Sequence, residues 1–383
     1  MNRVTSDFVD AVRRQRLWGF LLAINVAIMV ILFYNKIFND YSENQYSFLL
    51  ATYHFGFAKR AFVGSVLALF ESKVHYSDLL IMGGALCLLT AALFVVMFKR
   101  TFGFGADRLQ LFVFTFGSPF VFKNFIFTLG YFDIFGCLFA IIMMLLPVNA
   151  LFPLLVTAGC IILLLIHHLH FLLYLPTIAF IWIVRIYCLR SFSAGDLMTT
   201  GASAVVIAGL AFALMFFGTP PVPAETMNND MLARAADPLT LISMGAWYST
   251  IAGEMHNTAQ MWPAQLQRMP LVVLLIAAHW PLGAFMRRLI AGTSNRTHRG
   301  IAITAIAVIS VAYVIICVVA YDYARWLSNW GVCMILCLHA IAMLHRASGA
   351  TPPSFVAPAQ EKWIDIFGFI VTALPRVGVI KVF

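Results

Sequence analysis

The chain predicts an all-α polytopic membrane protein with about ten transmembrane helices. Three observations carry that expectation. Of its 383 residues, 62% are hydrophobic and 11% are charged, where soluble domains sit near ~45–50% and ~25%. The apolar residues gather in runs of about 17–25, the length that crosses a bilayer. The basic residues gather between those runs on one side, as the positive-inside rule requires.

The runs fall near 17–34, 78–98, 108–122, 125–146, 150–166, 170–187, 197–217, 269–286, 300–320 and 328–345. If these helices alternate, Arg13, Arg14, Arg16, Lys99, Arg100, Arg108, Arg185, Arg190, Arg287, Arg288, Arg296, Arg299 and Arg346 share one side. That side is expected to be the cytoplasm, with both termini in it and the chain in the cell inner (cytoplasmic) membrane. No small-residue cleavage site follows the first run, which is expected to stay as a helix. The net charge of +9 then reads as topology and headgroup contact, with no nucleic-acid partner. The seven cysteines lie in or beside apolar runs without CxxC spacing and imply no redox centre. Residues 1–350 are expected to form one transmembrane domain with two long outer segments, 35–77 and 218–268. Residues 351–383 form a tail whose stretch 361–374 is expected to be an interfacial helix anchored by Lys362 and Trp363.

The first outer segment opens with Asp40 and Glu43 and ends with Lys59 and Arg60. Between them, Tyr46, Leu49, Leu50, Tyr53 and Phe57 fall at helical spacing opposite Ser47, Ala51, His54 and Ala58. This pattern predicts an amphipathic helix lying in the interface. Such a helix is either a plain anchor or a device holding the acids and the cationic pair at headgroup depth. Asp40 is either a solvated loop residue or a general base for an attacking hydroxyl, a role worth roughly 10²–10⁴-fold. Glu43 is the backup base.

Asp133 lies inside the apolar stretch FTLGYFDIFG. A charge at the centre of a span costs about 2.5–3.5 kcal/mol, so such an acid faces a cavity or finds a partner. Lys123 and Asn124 are the expected partners; a functional Asp133 would bind a sugar hydroxyl or support a metal or the base. In IHHLHFLLYLP, His167, His168 and His170 sit at a turn. They lack the i, i+4 spacing of zinc ligands on one helix face, which leaves donors to phosphate or sugar, or a polar turn. No cofactor is expected, apart from an optional divalent cation. In VAYDYARWLSNW, Asp322 and Arg325 share a helix face. Arg325 can hold phosphate in fork geometry, while Trp326 and Trp330 are sugar platforms or members of an interfacial belt. In the second outer segment, GTPPVPAETMNND is expected to be irregular and a short helix is expected near 237–256. Glu254, His256, Trp262 and Arg268 there receive no role. There is no P-loop, no HExxH, no GxSxG and no pair of interrupted helices in matching halves. These absences disfavour an ATPase, a zincin and a secondary transporter.

Residues 15–186 resemble the GT-C superfamily of integral-membrane glycosyltransferases in three stretches. The family carries a catalytic acid and an interfacial helix in its first outer loop, similar to Asp40 within FNDYSENQYSFLLATYHFGFAKRAFVG. A later helix begins Gly-Gln/Tyr-x-Asp, similar to GYFD from Gly130 to Asp133. A polar or basic residue before a helix ending near proline is similar to HHLHFLLYLP. Two residues separate Asp40 from Glu43 where the family pairs adjacent acids, so either is the base. The resemblance implies a GT-C-like fold and inverting transfer from a polyprenyl-phosphate sugar to a glycan, glycolipid or protein on the extracytoplasmic face. It implies that Lys59, Arg60, Arg325 and the histidines stabilise the leaving phosphate, with Asp133 and Asp322 contacting substrate. Partners would be the lipid-linked donor, the acceptor, such as a cell-envelope polysaccharide, and membrane lipids. The alternatives are a transporter or flippase of lipid-linked sugars, or a polysaccharide polymerase.

Overall fold

The computed structural model describes residues 2–105, 108–189, 193–239, 242–267, 269–356 and 361–377. Arg190, Arg268 and the side chain of Lys362 lie outside what is described. Among the described residues the structure is helical, apart from turns and a parallel bridge between Val74 and Ala235. In chain order the helices are α1 (Asn2–Asn39), α2 (Glu43–Leu50), α3 (Phe62–Leu67), α4 (Tyr76–Phe102), α5 (Arg108–Phe116), α6 (Phe122–Phe127), α7 (Asp133–Leu145), α8 (Phe152–Ile166), α9 (His170–Leu173), α10 (Leu175–Ile183), α11 (Ala194–Phe217), α12 (Ala224–Arg234), α13 (Gly245–Tyr248), α14 (Ile251–Leu266), α15 (Met269–Ala278), α16 (Trp280–Gly292), α17 (Arg296–Val319), α18 (Tyr323–Ala347) and α19 (Glu361–Ala373).

Five of these are long and apolar enough to cross a membrane: Val12–Asn39 of α1, α4, α11, α17 and α18. The bent pair α14 and α15 makes a sixth if read as one span. The expected all-helical membrane class therefore holds. Several other apolar runs are cut into shorter helices by Gly117-Ser118-Pro119, by the turn through Gly130 and by Pro176. A 13-residue helix such as α7 covers about 20 Å of a hydrocarbon core about 30 Å thick. Two breaks meet. Ser118 Oγ, in the gap between α5 and α6, is 2.9 Å from Nε2 of His279, in the gap between α15 and α16. The Nδ1 of His279 is 2.7 Å from the Leu275 carbonyl. That nitrogen donates, so Ser118 donates to Nε2. Interrupted helices, which the sequence did not reveal, are thus present.

The apolar window of α18 is 78% buried, against 33% or less in the other four long helices. It is the central helix, with α4, α7, α9, α10, α16 and α17 packed against it. At one end of the bundle arginines close helix C-termini, whose last carbonyls have no partner within the helix. Arg185 donates to the carbonyls of Met144 and Leu146, and Arg100 to that of Leu145 at 3.1 Å. Arg346 reaches the carbonyl of Arg100 at 3.0 Å; Arg288 instead reaches the Phe355 carbonyl, in the non-helical segment after α18, at 2.6 Å.

The opposite end carries a second apolar core built from the long loops: Tyr46, Phe48, Leu49, Leu50, Phe132, Met227, Met231 and Trp247. The expected amphipathic helix over 46–58 does not form as one piece. It stops at Leu50, because Ala51 turns extended and Arg234 takes the Leu50 carbonyl. Gln45 to Leu50 are all buried, so α2 has no lipid-facing side of the expected kind. The stretch expected to be irregular becomes α12, with Pro223 at its N-cap and Glu225 in its first turn. The helix expected near 237–256 starts instead at Gly245 and Ile251.

The tail is helical from Glu361 to Ala373. Trp363, Ile366 and Phe369 are exposed on one side, and Ile364, Val371 and Thr372 are buried on the other. Trp18 Nε1 donates to Asp365 Oδ1 at 3.1 Å, and Asn25 Nδ2 to Thr372 Oγ1 at 2.8 Å. Lys123, fully buried, does not pair with Asp133 as expected. Its ammonium donates to the carbonyls of Val371 (3.1 Å), Thr372 (2.8 Å) and Leu374 (3.0 Å), capping α19.

Lys123→Met removes that cap. Each carbonyl left bare and buried costs about 1–3 kcal/mol, so the variant is expected to unfold at lower temperature in detergent and to expose α19 to protease. Wild-type melting and wild-type resistance would show that the cap contributes nothing.

Candidate functional site

Asp133 begins α7 after a turn through Gly130, whose φ of 93° is a backbone state that suits glycine. Its carboxylate accepts from Arg325 of α18 in fork geometry, from Nε to Oδ2 and from Nη2 to Oδ1 at 2.7 Å. Side-chain exposure is 2% for Asp133 and 8% for Arg325, so water satisfies neither. Asn329, one turn along α18, donates to Oδ2 at 3.0 Å and to the Arg325 carbonyl at 3.0 Å. Tyr174 donates to Asn329 Oδ1 at 2.6 Å. Its ring fills the space beside Gly136, where a Cβ would come within 2.4 Å of it. The guanidinium lies over the rings of Tyr131 (4.0 Å) and Trp326 (4.7 Å). The partner of Asp133 is therefore Arg325, and the fork expected to hold phosphate is closed on a carboxylate. Asp322 is half-buried at the N-cap of α18, where its charge acts on Tyr131.

Lys59 and Arg60 reach the same region. Lys59 is buried, donating its backbone N–H to Gly218 and its ammonium to the Ser249 carbonyl at 3.0 Å. Arg60 has a φ of 60°, a strained state for a non-glycine residue. Its guanidinium lies over the Phe48 ring at 5.2 Å, with Nε buried and unpartnered. Burial, and then the charge of Arg325, pulls the Arg60 pKa down to about 10. Burial also lowers that of Lys59, with Arg60 adding to the effect. Glu254, in the first turn of α14, acts on both in the opposite direction.

The histidine turn completes the cluster. His167 caps α8 in an extended conformation, and its Nδ1 accepts from the Leu169 N–H at 3.3 Å. The proton is then on Nε2, which is buried without a partner. His170 Nε2 lies 3.2 Å from the Phe132 carbonyl and must donate to it, which leaves Nδ1 as a buried, unpartnered lone pair. His168 Nδ1 is buried and unpartnered too. Burial first, and the charge of Arg60 second, holds His167 and His168 well below the usual imidazole range. Burial pushes His170 down to about 4 against the pull of Asp133. All three are neutral at pH 7. Unpartnered buried polar atoms are rare in folded proteins, and four meet here with two cations.

The structure thus brings together Lys59, Arg60, Asp133, His167, His168, His170 and Arg325. It does not bring Asp40 to them. Asp40 ends α1 half-exposed, its carboxylate 2.7 Å from the Lys36 ammonium, its carbonyl accepting from Tyr76. Glu43 sits half-buried in the first turn of α2, where its charge acts on Tyr41. Trp326 donates to the Ala320 carbonyl and Trp330 to Ser310 Oγ at 3.2 Å. Trp330 also lines an apolar groove of about 400 Å³ with Trp262, Tyr313, Tyr323 and Leu327. Among the described residues no three His, Cys, Asp or Glu side chains converge as metal ligands. Sequence reasoning missed Asn329, Tyr174 and Tyr131. Asn329 carried a signal, being a polar residue one turn from Arg325 inside an apolar run.

Asp133→Asn strands the buried Arg325 charge and is expected to cost about 3–5 kcal/mol, whereas Asp133→Leu with Arg325→Met recovers most of the loss. Unfolding of the single and double variants in detergent measures the coupling; losses that simply add would contradict the pair. Comparison with protein-family models, curated proteins and solved structures finds no match to this chain.

Proposed function

We propose that this protein is an integral-membrane glycosyltransferase of the GT-C type. It moves a sugar from a polyprenyl-phosphate donor to a glycan, glycolipid or protein acceptor on the extracytoplasmic face of the cytoplasmic membrane. In this reading the short and broken helices complete about ten passes and both termini are cytoplasmic. The observation that carries it is the buried face made by Arg60, Lys59 and the His167–His170 turn, whose Arg60 Nε, His167 Nε2, His168 Nδ1 and His170 Nδ1 lack partners. A phosphate supplies the acceptors that the two N–H groups lack and the negative charge that Glu254 alone leaves short against two cations.

The chemistry follows from the charges. The acceptor hydroxyl attacks the anomeric carbon and gives its proton to a carboxylate. The bond from that carbon to the phosphate oxygen breaks with its electron pair on oxygen, so the phosphate gains one negative charge. Preorganised cations and N–H donors stabilise that gain more than they stabilise the bound donor. Asp40 and Glu43 stay as bases in this reading, and the pairing of Asp40 with Lys36 adds Glu254, the carboxylate acting on Lys59 and Arg60, as a third.

A second reading, a flippase of lipid-linked sugars, draws support from the interrupted helices that meet at Ser118 and His279. One set of proteoliposome assays separates the two. Transfer predicts a new glycosidic bond, reduced about 10²–10³-fold by Arg60→Gln. One of Asp40→Asn, Glu43→Gln or Glu254→Gln should lower it by roughly 10²–10⁴-fold. Lipid translocation without any new bond would replace the transferase with the flippase.

A further inference from the structure

We infer that the histidine turn binds its anion together with a proton, taken up at Nδ1 of His168 or His170, so that the site grips at lower pH and releases as pH rises. This regulation rests on the phosphate site proposed above and concerns that same site.

The geometry calls for a proton. An oxyanion offers only acceptors. The Nδ1 of His170 is a lone pair, because its Nε2–H is committed to the Phe132 carbonyl at 3.2 Å. A lone pair facing a bound oxyanion is repelled; a protonated ring turns the same atom into a donor, since both nitrogens of the imidazolium donate. His168 Nδ1 is also buried with no partner, and protonation makes both nitrogens of that ring donors whichever one carries the first proton. His167 needs no added proton, because its unpartnered Nε2 already carries one.

The surrounding charges say why the proton waits for the anion. Facing the turn are Lys59 and Arg60 from the loop before α3, Asp133 from α7 and Arg325 from α18, with Tyr174 against the His170 ring at 5.6 Å. Glu254 of α14 acts behind the two loop cations. Asp133 cancels Arg325, so Lys59 and Arg60 outweigh Glu254 and the empty site is positive. Burial, with the charges of Arg60 and Lys59, keeps His168 well below its ordinary value, and burial holds His170 at about 4 against the pull of Asp133. An anion within about 4–6 Å reverses the field and favours the imidazolium. Between the pKa of the empty site and the raised pKa of the filled site, binding takes up a proton. Affinity there falls roughly tenfold per pH unit as pH rises.

The test uses the full chain in nanodiscs. Sulfate is the first probe, because its own charge is constant from pH 5 to 8. Calorimetric titration in two buffers of different ionisation enthalpy counts the protons. The expected result is uptake of about one proton per anion, with affinity falling as pH rises. His168→Gln with His170→Gln should bind sulfate with a flat pH profile, the glutamine at 170 keeping a donor for the Phe132 carbonyl. Binding by the wild type with no proton uptake and a flat profile overturns the inference and leaves the phosphate site standing. No sulfate binding at any pH overturns both. A short-chain isoprenyl methyl phosphodiester, also of constant charge, is the second probe. Tighter binding than sulfate, with the same slope, supports a lipid-borne phosphate; equal binding overturns that source in favour of a free oxyanion.

Discussion

Two opposite charges sit where almost everything around them is apolar. Desolvating Asp133 and Arg325 costs several kcal/mol per ion, and only near-ideal geometry returns it. The fork between them, the amide of Asn329 and the hydroxyl of Tyr174 supply that geometry. The pair therefore fixes the start of α7 against α18, and Tyr174 extends the same network to the start of α10. Three elements meet in one register, and the histidine turn just before α10 inherits its position from them. A neutralised Arg325 also changes what its neighbours are. With that charge spent, Lys59 and Arg60 outweigh the single Glu254 that acts on them, and the imidazoles beside them stay neutral.

The opposite end of the bundle uses cations differently. Arg185, Arg100 and Arg346 close helix ends by donating to carbonyls, and Lys123 does the same for α19 deep in the structure. Residues that a topology argument counts only as positive charges are hydrogen-bonding caps. In the proposed reading the two uses share one cause: a helix C-terminus and a phosphate both present unpaired oxygens with partial or full negative charge.

The all-helical membrane class was legible because composition and run length are properties of single segments. So was the need of Asp133 for a partner, since an acid in an apolar run cannot stay alone. The partner was not legible, because Arg325 is 192 residues away and Lys123 was nearer in sequence. Lys123 in turn answers to carbonyls near the end of the chain. The periodicity over 46–58 was real, but Arg234, in a segment brought across by folding, takes the Leu50 carbonyl and ends the helix. The stretch GTPPVPAETMNND is proline-rich, yet its last proline, Pro223, stands at the N-cap of α12 and starts a helix there. Of the candidate site, the histidines, the cationic pair and Asp133 with Arg325 were each visible as residues; their meeting depends on contacts between distant segments. Asp40 stood out for its place after the first span, and its pairing with Lys36, only four residues earlier, is a local contact that the same reading passed over.

The central claim is that the face left over by the Asp133–Arg325 pair is where a phosphate binds. The most direct measurement is an electron cryomicroscopy map of the protein in nanodiscs with a non-hydrolysable isoprenyl phosphosugar. The account predicts phosphate density within hydrogen-bond distance of Arg60 and His168, with the fork of Arg325 still closed on Asp133. Density for the phosphate on Arg325 with Asp133 released, or at the arginine-capped end of the bundle, would contradict it.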